Sequence, residues 1–172
     1  MVTGKLVPML NLFRQTGLRF LWLAALAFVL DQVSKHWIVD NLELYQAIQY
    51  TPFFNLTHVY NYGAAFSFLS DAGGWQRWFF TIIAFGVSGL LLWWLKESSR
   101  KQVLLPVAFS LILGGALGNV YDRVVHGYVI DFLVFYYQDW YWPAFNVADS
   151  AICLGAILLI VDMFTSKDEK DD

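Results

Sequence analysis

The constraint that governs this chain is a succession of four apolar runs, at residues 18–39, 75–95, 102–123 and 146–164. At about 1.5 Å of rise per residue, each is long enough as a helix to cross roughly 30 Å of hydrocarbon. A bilayer offers no water to pair backbone groups, so a run of this kind crosses it as a helix. The sequence therefore predicts a membrane α-helical protein, residues 1–172 forming a single integral domain with four transmembrane helices. Composition agrees. Apolar residues make up 58% of the chain and charged ones only 15%, against roughly 25% in soluble domains. The first run is too long, and too polar at its end, for a cleaved signal peptide, and no small-residue cleavage pattern follows it.

The connecting segments differ in kind. Residues 40–74 are rich in aromatic and β-branched residues, contain Pro52 and Gly63, and are bounded by Asp71, Gly73 and Gly74. That composition predicts short strands and turns, a small extracytoplasmic β-rich insert lying on the bilayer. Residues 124–145 read as a second extracytoplasmic segment, an aromatic periplasmic loop with an interfacial stretch around Phe132–Tyr137. Trp75, Trp78, Trp93 and Trp94 mark the ends of the second run as an aromatic belt, while Gly114, Gly115 and Gly118 allow close helix approach in the third.

Lysine and arginine sort the two faces. Lys5, Arg14, Arg19, Lys96, Arg100, Lys101, Lys167 and Lys170 fall on one side; Lys35, Arg77 and Arg123 fall on the other. Both termini are thus expected in the cytoplasm of a bacterial cell, with the chain multi-pass in its inner membrane. In that topology Asp31, Lys35, Asn119, Asp122 and Arg123 sit in the outer parts of outward-running helices. Asn146 and Asp149 open the inward-running last helix, and Asn61 and Asp131 lie in the outer segments. The unusual polar groups therefore gather at one depth near the outer face. Ionisable groups at membrane depth are expensive, so each is a functional candidate.

Asp131 and Asp149 are the preferred catalytic pair. Two carboxyls sharing one site keep one proton between them, so the charged one can take a proton from water and the neutral one can give one. The plainer alternative makes Asn146 a helix N-cap with Asp149 at N3, and Asp131 an aspartate facing water. Asn119, Asp122 and Arg123 share a helix face. Arg123 is read as anchoring a lipid phosphate or pairing with Asp122, and Asn119 as bonding substrate backbone, against the alternative of a self-satisfied helix end. Asp31 and Lys35, at i and i+4, read mainly as a structural ion pair. Asn61 and Gly63 suggest a turn that brings Asn61 toward substrate.

Other chemistries find little support. His36, His58 and His126 have no metal-ligand spacing, so no metal and no cofactor is expected. There is no G-x-S-x-G elbow or phosphate-cradling glycine loop, and Ser150 is a weak nucleophile candidate. No basic face points to nucleic acid. Cys153 is expected to be a buried, inert thiol. A proton-coupled transporter and a non-catalytic scaffold remain the competing classes.

The motifs DQVSK (31–35), YNYGAAFSF (60–68), GGALGNVYDR (114–123), VIDF (129–132) and FNVADS (145–150) follow one another in this order across four spans. In this the sequence resembles bacterial lipoprotein signal peptidase, also called signal peptidase II, over about residues 18–165. The resemblance implies an intramembrane aspartic endopeptidase that removes the signal peptide from diacylglyceryl-modified prolipoproteins, cutting just before the lipidated cysteine. It implies that Asp131 and Asp149 are the catalytic dyad. Asp31, Lys35, Asn61, Asn119, Asp122, Arg123 and Asn146 match supporting positions. It also implies partners: the prolipoprotein substrates, membrane lipids, and the cyclic peptide antibiotic globomycin as an inhibitor.

Overall fold

A computed structural model describes residues 11–63 and 74–168. The AAFSF part of the YNYGAAFSF motif, and the boundary residues Asp71 and Gly73, lie outside the described residues, as do Lys5 and Lys170. A 3-10 turn, Gly17–Phe20, leads into α1 (Leu21–Asn41). Strands β1 (Ala47–Thr51) and β2 (Phe54–Asn61) follow, then α2 (Gln76–Glu97), α3 (Leu104–Val125), β3 (Val129–Tyr137), β4 (Trp140–Tyr141) and α4 (Val147–Asp168). All four α-helices are long and apolar enough to cross a membrane.

α3 is the central helix. Within its apolar span 56% is buried, against 28%, 22% and 17% in the other three. Its glycines explain the closeness of its neighbours. A Cβ on Gly114 would meet the Ala24 carbonyl of α1 at 2.5 Å, and one on Gly115 would strike the Ala148 carbonyl of α4. Backbones packed this tightly gain dispersion contacts that bulkier side chains would prevent. Ala24, Leu91, Leu95, Phe109 and Leu113 fill the space among α1, α2 and α3. α4 packs with one face inward, so its outer face is left to the surroundings. Cys153 lies on that outer face and is exposed, not buried as expected.

The strands form one antiparallel sheet in the order β1-β2-β3-β4. The segment 124–145, expected as an aromatic loop, supplies β3 and β4, and the stretch Phe132–Tyr137 is strand. Its β-branched and aromatic residues suit a pleated surface half covered by neighbours. Ile38 and Leu42 at the end of α1 pack against Ile130 and Phe132 of β3, which seats the sheet on the bundle. β2 pairs with β3 so that Val59 faces Asp131 and Asn61 faces Val129. Asn61 and Asp131 are therefore diagonal neighbours on one face of the sheet.

Between α3 and β3 the chain turns at Gly127, whose φ is +92°. The N–H groups of His126 and Gly127 both return to the Asp122 carbonyl, at 2.8 and 3.2 Å. Arg77 of α2 donates to the Val124 carbonyl at 3.0 Å. A positive-φ glycine and a cation both suit a helix C-terminus. This turn brings Asp131 back over the end of the helix that carries Asn119, Asp122 and Arg123.

Candidate active site

The site forms where the ends of α1 and α3, the start of α4 and the β2–β3 pair converge. Asp131 comes from β3 and Asp149 from the first turn of α4; both are buried, at 1% and 6% exposure. Asp131 accepts the Asn61 amide at 2.8 Å on one oxygen and the Asn146 amide at 2.7 Å on the other. Asp149 accepts the Asn119 amide at 2.8 Å and the Asn146 backbone N–H at 3.3 Å. The two carboxyls are linked through their amides, because Asn146 Nδ2 also donates to Asn119 Oδ1 at 3.2 Å.

Asn146 has two functions in this arrangement. Its Oδ1 accepts the Asp149 N–H at 2.9 Å, and Asp149 bonds back to its N–H, so the pair forms a reciprocal helix cap. The cap, the plainer of the two readings of FNVAD, is therefore present. One oxygen of Asp149 serves the helix end, while the other faces Asn119. The capping contact fixes the carboxyl at the start of a rigid helix.

A second layer braces this pair. Lys35 is buried at 1% and sits between Asp31 at 2.7 Å and Asp122 at 2.8 Å. It also donates to Asn119 Oδ1 at 3.1 Å, which turns the Asn119 amide toward Asp149. Asp31 accepts the Ala148 N–H at 2.9 Å, and Asp122 accepts the Ile130 N–H at 3.3 Å. One ion-pair cluster therefore ties α1 to α3, α4 and β3, the elements that hold the two aspartates. Asp31 and Lys35 form the ion pair expected from their spacing.

Arg123 does not form the pair with Asp122 that was one of its two expected roles. Asp122 is occupied by Lys35, and Arg123 instead donates to the Gly63 carbonyl at 2.8 Å and lies 5.5 Å over the Phe80 ring. Gly63 in turn donates to Asn61 Oδ1 at 2.9 Å. Arg123 thus holds the turn that orients the Asn61 amide toward Asp131. Each of the candidate site residues Asp31, Lys35, Asn61, Gly63, Asn119, Asp122, Arg123, Asp131, Asn146 and Asp149 joins this one network. α2 adds the Phe80 ring to it.

The electrostatics of Asp131 favour its protonated form. Burial, and after it the charge of Asp149, push the Asp131 carboxyl up to about 7, although the Asn61 and Asn146 amides favour its ionised form. Four buried carboxyls face two buried cations here. One proton kept by the aspartate pair halves that imbalance. A cavity of about 300 Å³ beside Asp149 is lined by Trp142, Phe145, Ser150 and Cys153. Such a carboxyl pair, hydrogen-bonded but not ion-paired, is equipped for proton exchange with a water molecule.

Sequence reasoning missed Gln32, which donates to Asp31 at 3.1 Å and to Asp122 at 3.0 Å. A neutral residue beside Asp31 carries no charge cost, and nothing in its spacing marks it. It also missed the backbone donors Ala148 and Ile130. His36 and His58 bond the carbonyls of Gln32 and Leu42, each through Nδ1. Among the described residues no group of three His, Cys, Asp or Glu could hold a metal ion.

The model of the family described as signal peptidase (SPase) II matches residues 23–165. The chain belongs to the signal peptidase II family. It is 78% identical over 164 residues to the lipoprotein signal peptidase of Pseudoalteromonas atlantica, covering 95% of this chain and 100% of that one. Identity to the lipoprotein signal peptidase of Alteromonas mediterranea is 68%, covering 95% and 90%. A solved structure described as a bacterial membrane enzyme superposes with a TM-score of 0.79 at 31% identity, covering 88% of this chain and 91% of that one. This member of the family is thus a membrane protein and an aspartic-type peptidase.

Proposed function

We propose that this peptidase removes the signal peptide from diacylglyceryl-modified prolipoproteins, with Asp131 and Asp149 as its catalytic pair. The observation that carries the reading is the amide bridge. Asn61 and Asn146 grip Asp131, Asn119 grips Asp149, and Asn146 bonds to Asn119. Two carboxyls from separate elements are thereby held with their oxygens directed by neutral donors. Neutral donors leave the pair able to exchange a proton, which a salt bridge to either carboxylate would oppose.

In the proposed mechanism Asp149 is ionised and Asp131 holds the shared proton, in keeping with the high pKa of Asp131. Asp149 takes a proton from a water whose oxygen attacks the scissile carbonyl carbon. Asp131 gives its proton to the carbonyl oxygen as the tetrahedral diol forms. The diol then collapses: its hydroxyl proton returns to Asp131, the C–N bond breaks, and Asp149 passes its proton to the leaving amine. No covalent enzyme intermediate is needed.

Residues 1–172 act in this reading as one domain in the bacterial inner membrane, with both termini in the cytoplasm and the site at the periplasmic face. The lysine and arginine distribution supports that orientation. A lipidated substrate keeps its acyl chains in the bilayer while its scissile bond reaches water at that depth. The apolar cavity beside Asp149 suits such a substrate, and a cyclic lipophilic peptide of the globomycin type would compete for the same place. A proton-transporter reading needs a polar path through the other half of the bundle. There α3 buries Pro106, Ala108, Phe109, Ser110 and Leu113, apolar but for one hydroxyl.

The test is cleavage of a diacylglyceryl-modified prolipoprotein by purified wild type, Asp131→Asn and Asp149→Asn, followed by gel shift with and without chelator. Either substitution should abolish cleavage with the fold retained, and chelator should change nothing. Cleavage persisting in both folded variants would move the chemistry away from this pair.

A further inference from the structure

The opposite end of the bundle carries a polar feature that peptide cleavage does not use. A cavity of about 760 Å³ is lined there by Asn11, Arg14, Gln15, Arg19 and Arg100. It forms where the chain entering α1 meets the connection from α2 to α3. Gly17 N–H donates to the Ser98 carbonyl at 3.1 Å, and Arg19 donates to the Gln102 carbonyl at 2.9 Å. Gly17 itself admits no side chain, since a Cβ would meet the Leu95 carbonyl at 2.8 Å. The cavity is therefore framed by two segments distant in sequence, joined by one backbone contact and one from the Arg19 guanidinium.

Its lining is one-sided. Among the described residues, three guanidiniums and two carboxamides share it with no carboxylate. The ion pairs among the described residues both belong to Lys35, so none of these arginines is neutralised by a described side chain. The nearest acid in sequence, Glu97, lines a different cavity. Three like charges gathered around one space repel one another unless an anion sits between them. Guanidinium is the side chain best matched to phosphate, because its planar fork bonds two oxygens at once.

The surroundings indicate where the phosphate comes from. Leu12 and Phe13, beside Arg14, are 38% and 42% exposed. Trp22 at the start of α1, and Trp93 and Trp94 near the end of α2, also project outward. Exposed tryptophans at helix ends mark headgroup depth. The cavity thus opens at the level of lipid headgroups with apolar surface next to it. We propose that Arg14, Arg19 and Arg100 bind the phosphate of an anionic phospholipid in the leaflet opposite the aspartate pair. The bound headgroup clamps the entrance of α1 to the α2–α3 connection.

The experiment reconstitutes the full-length protein into nanodiscs of phosphatidylcholine alone or of equimolar phosphatidylcholine and phosphatidylglycerol. Lipids that stay bound on release are counted by native mass spectrometry, with peptidase activity as the check that each protein is folded. Wild type should retain phosphatidylglycerol in preference to phosphatidylcholine. The preference should fall about fivefold for each arginine replaced in Arg14→Gln, Arg100→Gln and the triple variant. The two single variants change exposed side chains, so they carry the test if the triple variant fails to fold. Equal retention of both lipids by wild type, or an unchanged preference in the single variants, would overturn the proposal. So would inorganic phosphate that binds and displaces no lipid, since the site would then take free anions. A chain truncated after Thr165 should keep the wild-type preference; gain of lipid only on truncation would make the acidic tail the occupant.

Discussion

Asp31 Oδ1 accepts the backbone N–H of Ala148 at 2.9 Å, while its Oδ2 meets Lys35 at 2.7 Å. A carboxylate on α1 thus holds the first turn of the helix that carries Asp149, where the helix dipole also favours negative charge. Asp31→Ala leaves the Ala148 N–H unpaired and Lys35 with one carboxylate partner in place of two. Removing one partner of a buried ion pair costs roughly 3–5 kcal/mol. Asp122 still holds Lys35, so the loss should sit at the lower end of that range. Thermal unfolding in detergent and kcat should both drop for Asp31→Ala. Asp31→Asn, which keeps an oxygen for Ala148, should retain more of each. Wild-type unfolding in Asp31→Ala would make the contact incidental.

The pH profile tests which aspartate holds the proton. Asp131, pushed up to about 7, is neutral below that pH and ionised above it. If it must donate, cleavage should decline along an alkaline limb near pH 7. Asn61 donates to the Asp131 carboxylate and so favours the ionised form. Asn61→Ala removes that donor, raises the pKa further, and should carry the limb to higher pH even as the rate falls. A limb that stays in place, or moves to lower pH, would assign the proton to Asp149.

Asn146 allows capping and catalysis to be separated. Losing a side-chain N-cap costs roughly 0.5–2 kcal/mol. Asn146→Ser keeps a cap acceptor for the Asp149 N–H but loses the amide that bonds Asp131 and Asn119. Its unfolding should stay within about 1 kcal/mol of wild type, while cleavage falls by at least roughly 10²-fold, as for a lost electrostatic contact in an active site. Asn146→Ala should lose both. Equal activity in the serine variant and wild type would reduce Asn146 to a cap.

These cases show what could be read before the structure. The four helices announced themselves by length and hydropathy, and the i, i+4 spacing of Asp31 and Lys35 was enough to pair them. Asp122 was harder. Its neighbour Arg123 looked like its partner, yet on the folded helix Lys35 of α1 reaches it first. The strand that carries Asp131 was hidden because YYQDWYWP has turn and aromatic features suited equally to a loop, and its partner β2 lies beyond two intervening helices in the sequence. Gln32 left no mark, since only tertiary packing sets an uncharged amide between Asp31 and Asp122. Local patterns were legible; partners supplied by distant segments were not.

The glycines of α3 give the last prediction, because they separate packing from flexibility. A methyl group on Gly115 would strike the Ala148 carbonyl, and one on Gly118 would lie 2.6 Å from Asp31 Oδ2. Alanine is the better helix former, so by propensity alone both substitutions should stabilise α3. Packing opposes this. The Ala148 carbonyl is backbone and cannot rotate away, so Gly115→Ala must push α4 off α3, at a cost of about 1–3 kcal/mol. The displaced element begins with Asn146 and Asp149, so cleavage should fall together with stability. Gly118→Ala presses on a side chain held by Lys35, Gln32 and Ala148, and should loosen the brace with a smaller effect on unfolding. A Cβ on Gly86 of α2 would meet no described atom within 4 Å, so Gly86→Ala is the control and should unfold and cleave as wild type. If Gly115→Ala matched that control, close approach of α3 and α4 would not be what positions the aspartate.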